Sequence, residues 1–166
     1  LEPLEKSDFE IKTVSTEFQG THDSKVLLPF AAKDEVKLYI PKQSETLKIT
    51  HDGETSDSFY VMSALEKKDK YQVFLGGNYG RVDIETGVKN GKRLLVAKDS
   101  FANSFVPLLT THYEKICMLD LRFFSKNPDD LAALIDEFAP TDTLILFNIA
   151  NFISDPTIKR LAMYSK

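Results

Sequence analysis

The chain has 166 residues, 42% hydrophobic and 28% charged, the proportions of an ordinary globular protein that can bury about 70% of its unfolded surface without disulfide or metal. Its 21 basic and 25 acidic residues leave a net charge of -4 with no basic stripe, which argues against a nucleic-acid binder held by phosphate contacts. The longest apolar runs, such as Leu144 to Phe147, fall far short of the roughly 20 residues that span a bilayer, and the single cysteine, Cys117, excludes a disulfide scaffold and a cysteine zinc site.

Leu1 opens the chain with no apolar signal segment ahead of it, so the expectation is a mature form or part of something longer, folded as a single domain over residues 1–166. Residues 1–91 read as β-rich. Short apolar runs at Val36 to Ile40, Leu47 to Thr50, Phe59 to Met62 and Val73 to Leu75 are separated by polar turns, and His51-Asp52-Gly53 sits where a hairpin reverses. A second turn signal, Asn90-Gly91, lies between Val82 to Thr86 and Arg93 to Ala97.

Residues 92–166 change to a pattern of buried strand, helix and strand. Leu94 to Ala97, Ile116 to Leu119 and Leu144 to Phe147 are near-continuous apolar runs, which suit parallel strands covered on both faces. Phe101 to Tyr113 is a helix candidate that must start near Ser104 or kink, because Pro107 removes a backbone donor. Over Asp129 to Phe138, Leu131, Leu134, Ile135 and Phe138 fall on one helix face, with Asn127-Pro128-Asp129-Asp130 supplying a cap and a first-turn proline, and Pro140 closing the helix. Strands alternating with helices predict an α/β fold.

The stretch Leu94-Leu95-Val96-Ala97-Lys98-Asp99-Ser100-Phe101 carries the most chemistry: a buried strand that delivers a serine where the chain turns toward a helix. Ligands bind outside the carboxyl ends of strands in open α/β sheets, and backbone N–H groups there can hold an oxyanion. Ser100 is therefore a candidate nucleophile, and the alternative is that Ser100 or Asp99 only caps the helix. Arg122 follows the strand Ile116 to Leu119 and has two readings, a contact to an anionic substrate or a salt bridge to Asp120. The only glycine cluster, Gly76-Gly77-Asn78-Tyr79-Gly80, fits no nucleotide-phosphate loop, and the acids lack the density of a calcium loop.

Lys98-Asp99-Ser100-Phe101 followed by Ala102-Asn103-Ser104-Phe105-Val106-Pro107 resembles the serine block of the DHHW protein family, within the SGNH (GDSL-like) hydrolase superfamily. Phe18-Gln19-Gly20-Thr21 with Ser24-Lys25, Phe74-Leu75-Gly76-Gly77-Asn78, His112-Tyr113-Glu114 and Leu119 to Phe124 match in order and spacing. The resemblance implies the C-terminal part of a three-layer sandwich on a mainly parallel sheet, with a β-rich elaboration in its first half. It also implies an exported or surface-held protein of Gram-positive bacteria, similar in plan to acetyltransferases that O-acetylate alginate and other envelope polymers. Carried over by position, Ser100 is the nucleophile, and Gly77 and Asn78 are oxyanion or substrate contacts; Asp99 and Arg122, at the carboxyl ends of their strands, are the further candidates for such contacts. No cofactor or metal is implied.

Two departures stand against that pattern. Lys98 occupies the place of the superfamily's glycine before Asp-Ser. None of the three histidines, His22, His51 and His112, has an Asp two or three residues before it, and the chain holds no tryptophan, so the Asp-His-His-Trp block is absent. A serine nucleophile needs a base and a carboxylate that orients it. Two functions follow as expectations: an O-acyl esterase or acetyltransferase on an extracellular glycan whose Asp and His lie outside these residues, or a non-catalytic carbohydrate-binding or envelope-scaffold domain of the same shape.

Overall fold

A computed structural model describes residues 2–18, 20, 33–43 and 46–162. His22 and most of the Gln19 to Lys25 block lie outside them. Two strands, β1 (Phe9–Phe18) and β2 (Asp34–Pro41), pair antiparallel as a separate ribbon. Val36 and Leu38 of β2 are buried against Val73 and Phe74.

Six further strands form one sheet: β3 (Lys48–His51), β4 (Glu54–Ser56), β5 (Arg81–Glu85), β6 (Arg93–Lys98), β7 (Lys115–Leu119) and β8 (Asp142–Leu146), in the spatial order β4-β3-β5-β7-β6-β8. The sheet is mixed. β6 runs parallel to both neighbours, β7 and β8, whereas β3 pairs antiparallel with β4 and β5, and β5 with β7. An α/β architecture is thus present, with its parallel part confined to the last three strands. β3 and β4 are the expected hairpin, and Asp52 (φ 48°) and Gly53 (φ 81°) both take the left-handed conformation that a two-residue reversal requires. Asn90-Gly91 also reverses the chain, but β5 and β6 do not pair, because β7 inserts between them.

Phe59 to Met62 and Val73 to Leu75 are not strands. They contribute one isolated bridge, Tyr60 to Phe74, between short 3-10 turns at Met62–Glu66 and Lys70–Val73. The N–H groups of Phe74 and Gly76 bond back to Tyr71 and Gln72, so few are left for a ladder. The helix expected from Phe101 is a single turn, α1 (Ala102–Phe105), which tightens into a 3-10 turn at Val106–Leu109 where Pro107 interrupts the bonding.

The period of two along β6 and β7 divides the core. Leu94, Val96, Ile116 and Met118 face a cluster with Phe59, Ala102, Val106 and Tyr113, while Leu95, Cys117 and Leu119 face helix α2 (Pro128–Phe138) through Leu131 and Leu134. α2 matches its expected span. Asn127 accepts the Asp129 N–H as N-cap, and Ala139 ends the helix at φ 45°. β8 departs from expectation: it is an edge strand, bonded only to β6, and Ile145 is half exposed. Beyond it lie α3 (Ile149–Ser154), whose Ile149 and Ile153 are exposed, and α4 (Lys159–Ala162). No helix among the described residues is long and apolar enough to cross a membrane.

Gly80 is fixed by close approach. A Cβ there would lie 2.7 Å from the Phe123 carbonyl oxygen and 2.9 Å from Phe124 Cα, both backbone atoms that cannot rotate away. Gly80→Ala is expected to cost about 1–3 kcal/mol in urea unfolding, as overpacking does; a change below about 0.5 kcal/mol would contradict the contact.

Candidate functional site

β3 runs in the same direction as β6, β7 and β8, so one edge of the sheet collects the carboxyl ends of all four strands. His51, Lys98 to Ser100, Asp120 to Arg122 and Asn148 all lie along that edge. The loop ahead of β5 brings Gly77 and Asn78 to it, and Gly80 is bonded there through its carbonyl to the Asp120 N–H.

Ser100 leaves β6 half-buried, and the fold holds it by its backbone. Its carbonyl accepts from Tyr71 Oη at 2.8 Å and from the Asn103 N–H at 3.2 Å. No described residue bonds its hydroxyl or its N–H. Tyr71, which burial pushes above the ordinary tyrosine range, lies 3.1 Å from Ser104 Oγ as well and ties the serine turn to α1.

Asp99 does not face open space. One carboxylate oxygen accepts the Phe101 N–H at 3.0 Å, and the other accepts from Asn148 N, Asn148 Nδ2 and Asn151 Nδ2 at 2.8–2.9 Å. It clamps the end of β6 to the start of α3, which accounts for its burial. Arg122 makes the salt bridge to Asp120. Nε and Nη2 reach the two Asp120 oxygens at 2.8 and 2.6 Å, and the guanidinium lies 5.3 Å from the exposed Phe123 ring.

Lys98, which the resemblance marks only as a departure, is at the centre of the site. It continues the inward series Leu94, Val96, so its side chain enters the core and is fully buried. Nζ donates to Asn103 Oδ1 at 2.9 Å and Asn78 Oδ1 at 3.4 Å, and lies 3.8 Å from Asp120 Oδ2. Asn103 in turn donates through Nδ2 to the Gly77 carbonyl at 3.1 Å and to Asn78 Oδ1 at 3.2 Å. The structure therefore brings Gly77, Asn78, Lys98, Asn103 and Asp120 into one network beside Ser100. Consecutive left-handed residues, Leu75 (φ 67°) and Gly76 (φ 79°), turn the chain into it.

Burial pushes the Lys98 ammonium from 10.5 down to about 8; the Asp120 carboxylate opposes this and the Arg122 guanidinium adds to it. Below pH 8 both folded and unfolded chains carry the proton, and the fold bears the whole cost of the buried charge, about 3 kcal/mol. Between pH 8 and 10.5 the unfolded chain holds more protons, so the lysine's contribution turns toward stability as pH rises. Wild type is expected to gain about 3 kcal/mol on Lys98→Met over that window in parallel urea titrations; a constant gap would contradict the burial of a charge.

Neither described histidine can serve Ser100. His51 ends β3, three strand spacings or about 14 Å from β6. Its ring stacks on Tyr79 at 3.8 Å, and its buried Nδ1 has no partner among the described residues. His112 precedes β7, at the opposite edge of the sheet, roughly 17 Å of strand length from Ser100. No group of three or more His, Cys, Asp or Glu among the described residues could hold a metal. A groove beside α1 is lined by Tyr39, Tyr60, Phe74, Ser104 and Phe105, and a second by Leu4, Ser7, Lys42 and His112; Ser100 lines neither.

The fold and this edge define an α/β protein with a mixed sheet and a polar cluster at the end of its central parallel strand. Solved structures share that fold. A DHHW family protein from Eubacterium siraeum superposes with a TM-score of 0.74 at 24% identity, over 96% of this chain and 54% of that one. Bacillus cereus PatB1 superposes with TM-scores of 0.70, in a structure with a sulfonyl adduct, and 0.66, at 21% and 20% identity. Those matches cover 94% and 89% of this chain and 51% of each PatB1 chain. The chain spans about half the length of these neighbours. No protein-family model and no curated protein matches it.

Proposed function

We propose that this chain is the nucleophile-bearing part of a DHHW-type, SGNH-like serine enzyme, an O-acyl esterase or O-acetyltransferase acting on an extracellular or cell-envelope glycan. The observation that carries the reading is the state of Ser100. It stands at the carboxyl end of the central parallel strand with a hydroxyl that no described residue engages, beside donors that are also unengaged: its own N–H, the Gly77 N–H and Asn78 Nδ2.

In this reading Ser100 Oγ attacks the acyl carbonyl while a histidine from outside these 166 residues takes its proton. The free donors hold the oxyanion, the sugar oxygen leaves with the proton, and the acyl group remains on Ser100. Water or a second sugar hydroxyl then accepts it and regenerates the serine. Support comes from the shared fold with PatB1, one of whose structures holds a sulfonyl adduct, and activated hydroxyls are among the groups that sulfonyl reagents trap. The exposed flank of β8 and α3 supports a place for further polypeptide in a complete three-layer sandwich.

One observation favours the second reading, a non-catalytic glycan-binding domain: no described histidine reaches Ser100. Acetyl loss from an acetylated glycan, read both as free acetate and as acetyl transferred to an acceptor glycan and measured on the full-length protein that carries these residues, decides between them. Loss above the uncatalysed blank by either route is expected. A folded protein that binds the glycan and shows neither would establish the binding domain instead.

A further inference from the structure

The ammonium of Lys98 carries only donors, so whatever faces it must accept. Its partners Asn103 and Asn78 therefore present Oδ1, not Nδ2, and the chemistry of the lysine fixes both amide orientations. Asn103 Nδ2, turned away from Lys98, donates to the Gly77 carbonyl and to the same Asn78 oxygen. Asn78 Oδ1 thus receives two donors, one of them charged, which fills both of its lone pairs.

The other end of the Asn78 amide follows by necessity. Asn78 is exposed, and no described residue accepts from its Nδ2. A cation on the oxygen of an amide draws charge from its nitrogen and makes those hydrogens better donors. Lys98 itself is fully buried and touches no substrate.

We propose that Lys98 and Asn103 are positioning residues that lock the Asn78 amide in a single orientation and present its Nδ2 hydrogens as strengthened donors to an anionic oxygen at the Ser100 edge of the sheet. In identifying that oxygen with the acyl oxyanion, the proposal rests on the reading given above; the locking itself does not.

The test is nitrogen-15 relaxation of the Asn78 side-chain amide, assigned by its loss in Asn78→Asp. In wild type the order parameter is expected near the rigid-backbone value of about 0.85, and in Lys98→Met and Asn103→Asp it should fall below about 0.6. A mobile amide in wild type overturns the lock without any variant having to fold. An amide that stays rigid in both folded variants shows that other groups hold it, and overturns the proposal equally. On the full-length enzyme, Lys98→Met should lower kcat about as much as Asn78→Ala, on the order of 10²-fold, and the double variant should be no slower than either. A rigid amide in a protein without acyl-transfer activity would retain the lock and reject the enzyme.

Discussion

Ser100→Ala is expected to lower acyl transfer by the full-length protein about 10³-fold or more, while shifting the free energy of unfolding by less than about 0.5 kcal/mol. The large kinetic effect follows from the proposed mechanism: without Oγ no acyl-enzyme forms, and only binding and oxyanion stabilisation remain. The small stability effect follows from the contacts. The hydroxyl has no bonded partner among the described residues, and the turn is held by the Ser100 carbonyl to Tyr71 and by the Asp99 clamp, neither of which needs the side chain. Matched kinetics and urea unfolding check it. Retained activity would remove Ser100 as nucleophile, and a loss of more than about 1.5 kcal/mol would make the serine structural.

Asp120→Ala is expected to destabilise the fold by about 3–5 kcal/mol, the usual consequence of removing one member of a buried ionic set. Asp120 is 1% exposed and answers two cations, Arg122 through both oxygens and Lys98 at 3.8 Å. Its loss leaves the Lys98 ammonium in the core with only amide oxygens. The double variant Asp120→Ala with Lys98→Met should therefore lose less than the single one, since the stranded charge is gone. Urea unfolding of both proteins measures the coupling. A single-variant cost below about 1 kcal/mol would mean that the set is solvated and not buried.

Much of the second half is legible from pattern. The apolar runs of β6 and β7 and the i, i+3, i+4, i+7 face of α2, like the Asp52-Gly53 reversal in the first half, each follow from local spacing, and each stands where the spacing puts it. β1 is absent from such a reading because its apolar residues, Phe9, Ile11, Val14 and Phe18, break the period of two. Register shifts between Thr13 and Ser15 and between Ser15 and Phe18 are the physical reason. The insertion of β7 between β5 and β6 is long-range topology, which no turn signal encodes.

At the candidate site, position along the strand puts Ser100 at the carboxyl edge of the sheet, but it does not distinguish a carboxylate that meets a ligand from one that clamps a helix. Asp99 is the second kind because Asn148 and Asn151, some fifty residues later, converge on it. Lys98 did leave a signal: a lysine at the inward-facing step of the series Leu94, Val96, Lys98 must be buried with partners or break the strand. Which partners it finds, Asn78, Asn103 and Asp120, depends on three separate loops meeting.

The most direct measurement is mass-spectrometric mapping of a fluorophosphonate probe on these 166 residues and on the full-length protein. Labelling of Ser100 in the full-length protein alone is the predicted result, since a phosphonylated serine requires an activated hydroxyl and the proposed reading takes the activating base from outside these residues. No labelling of Ser100 in either, with both proteins folded, would contradict the serine-enzyme reading.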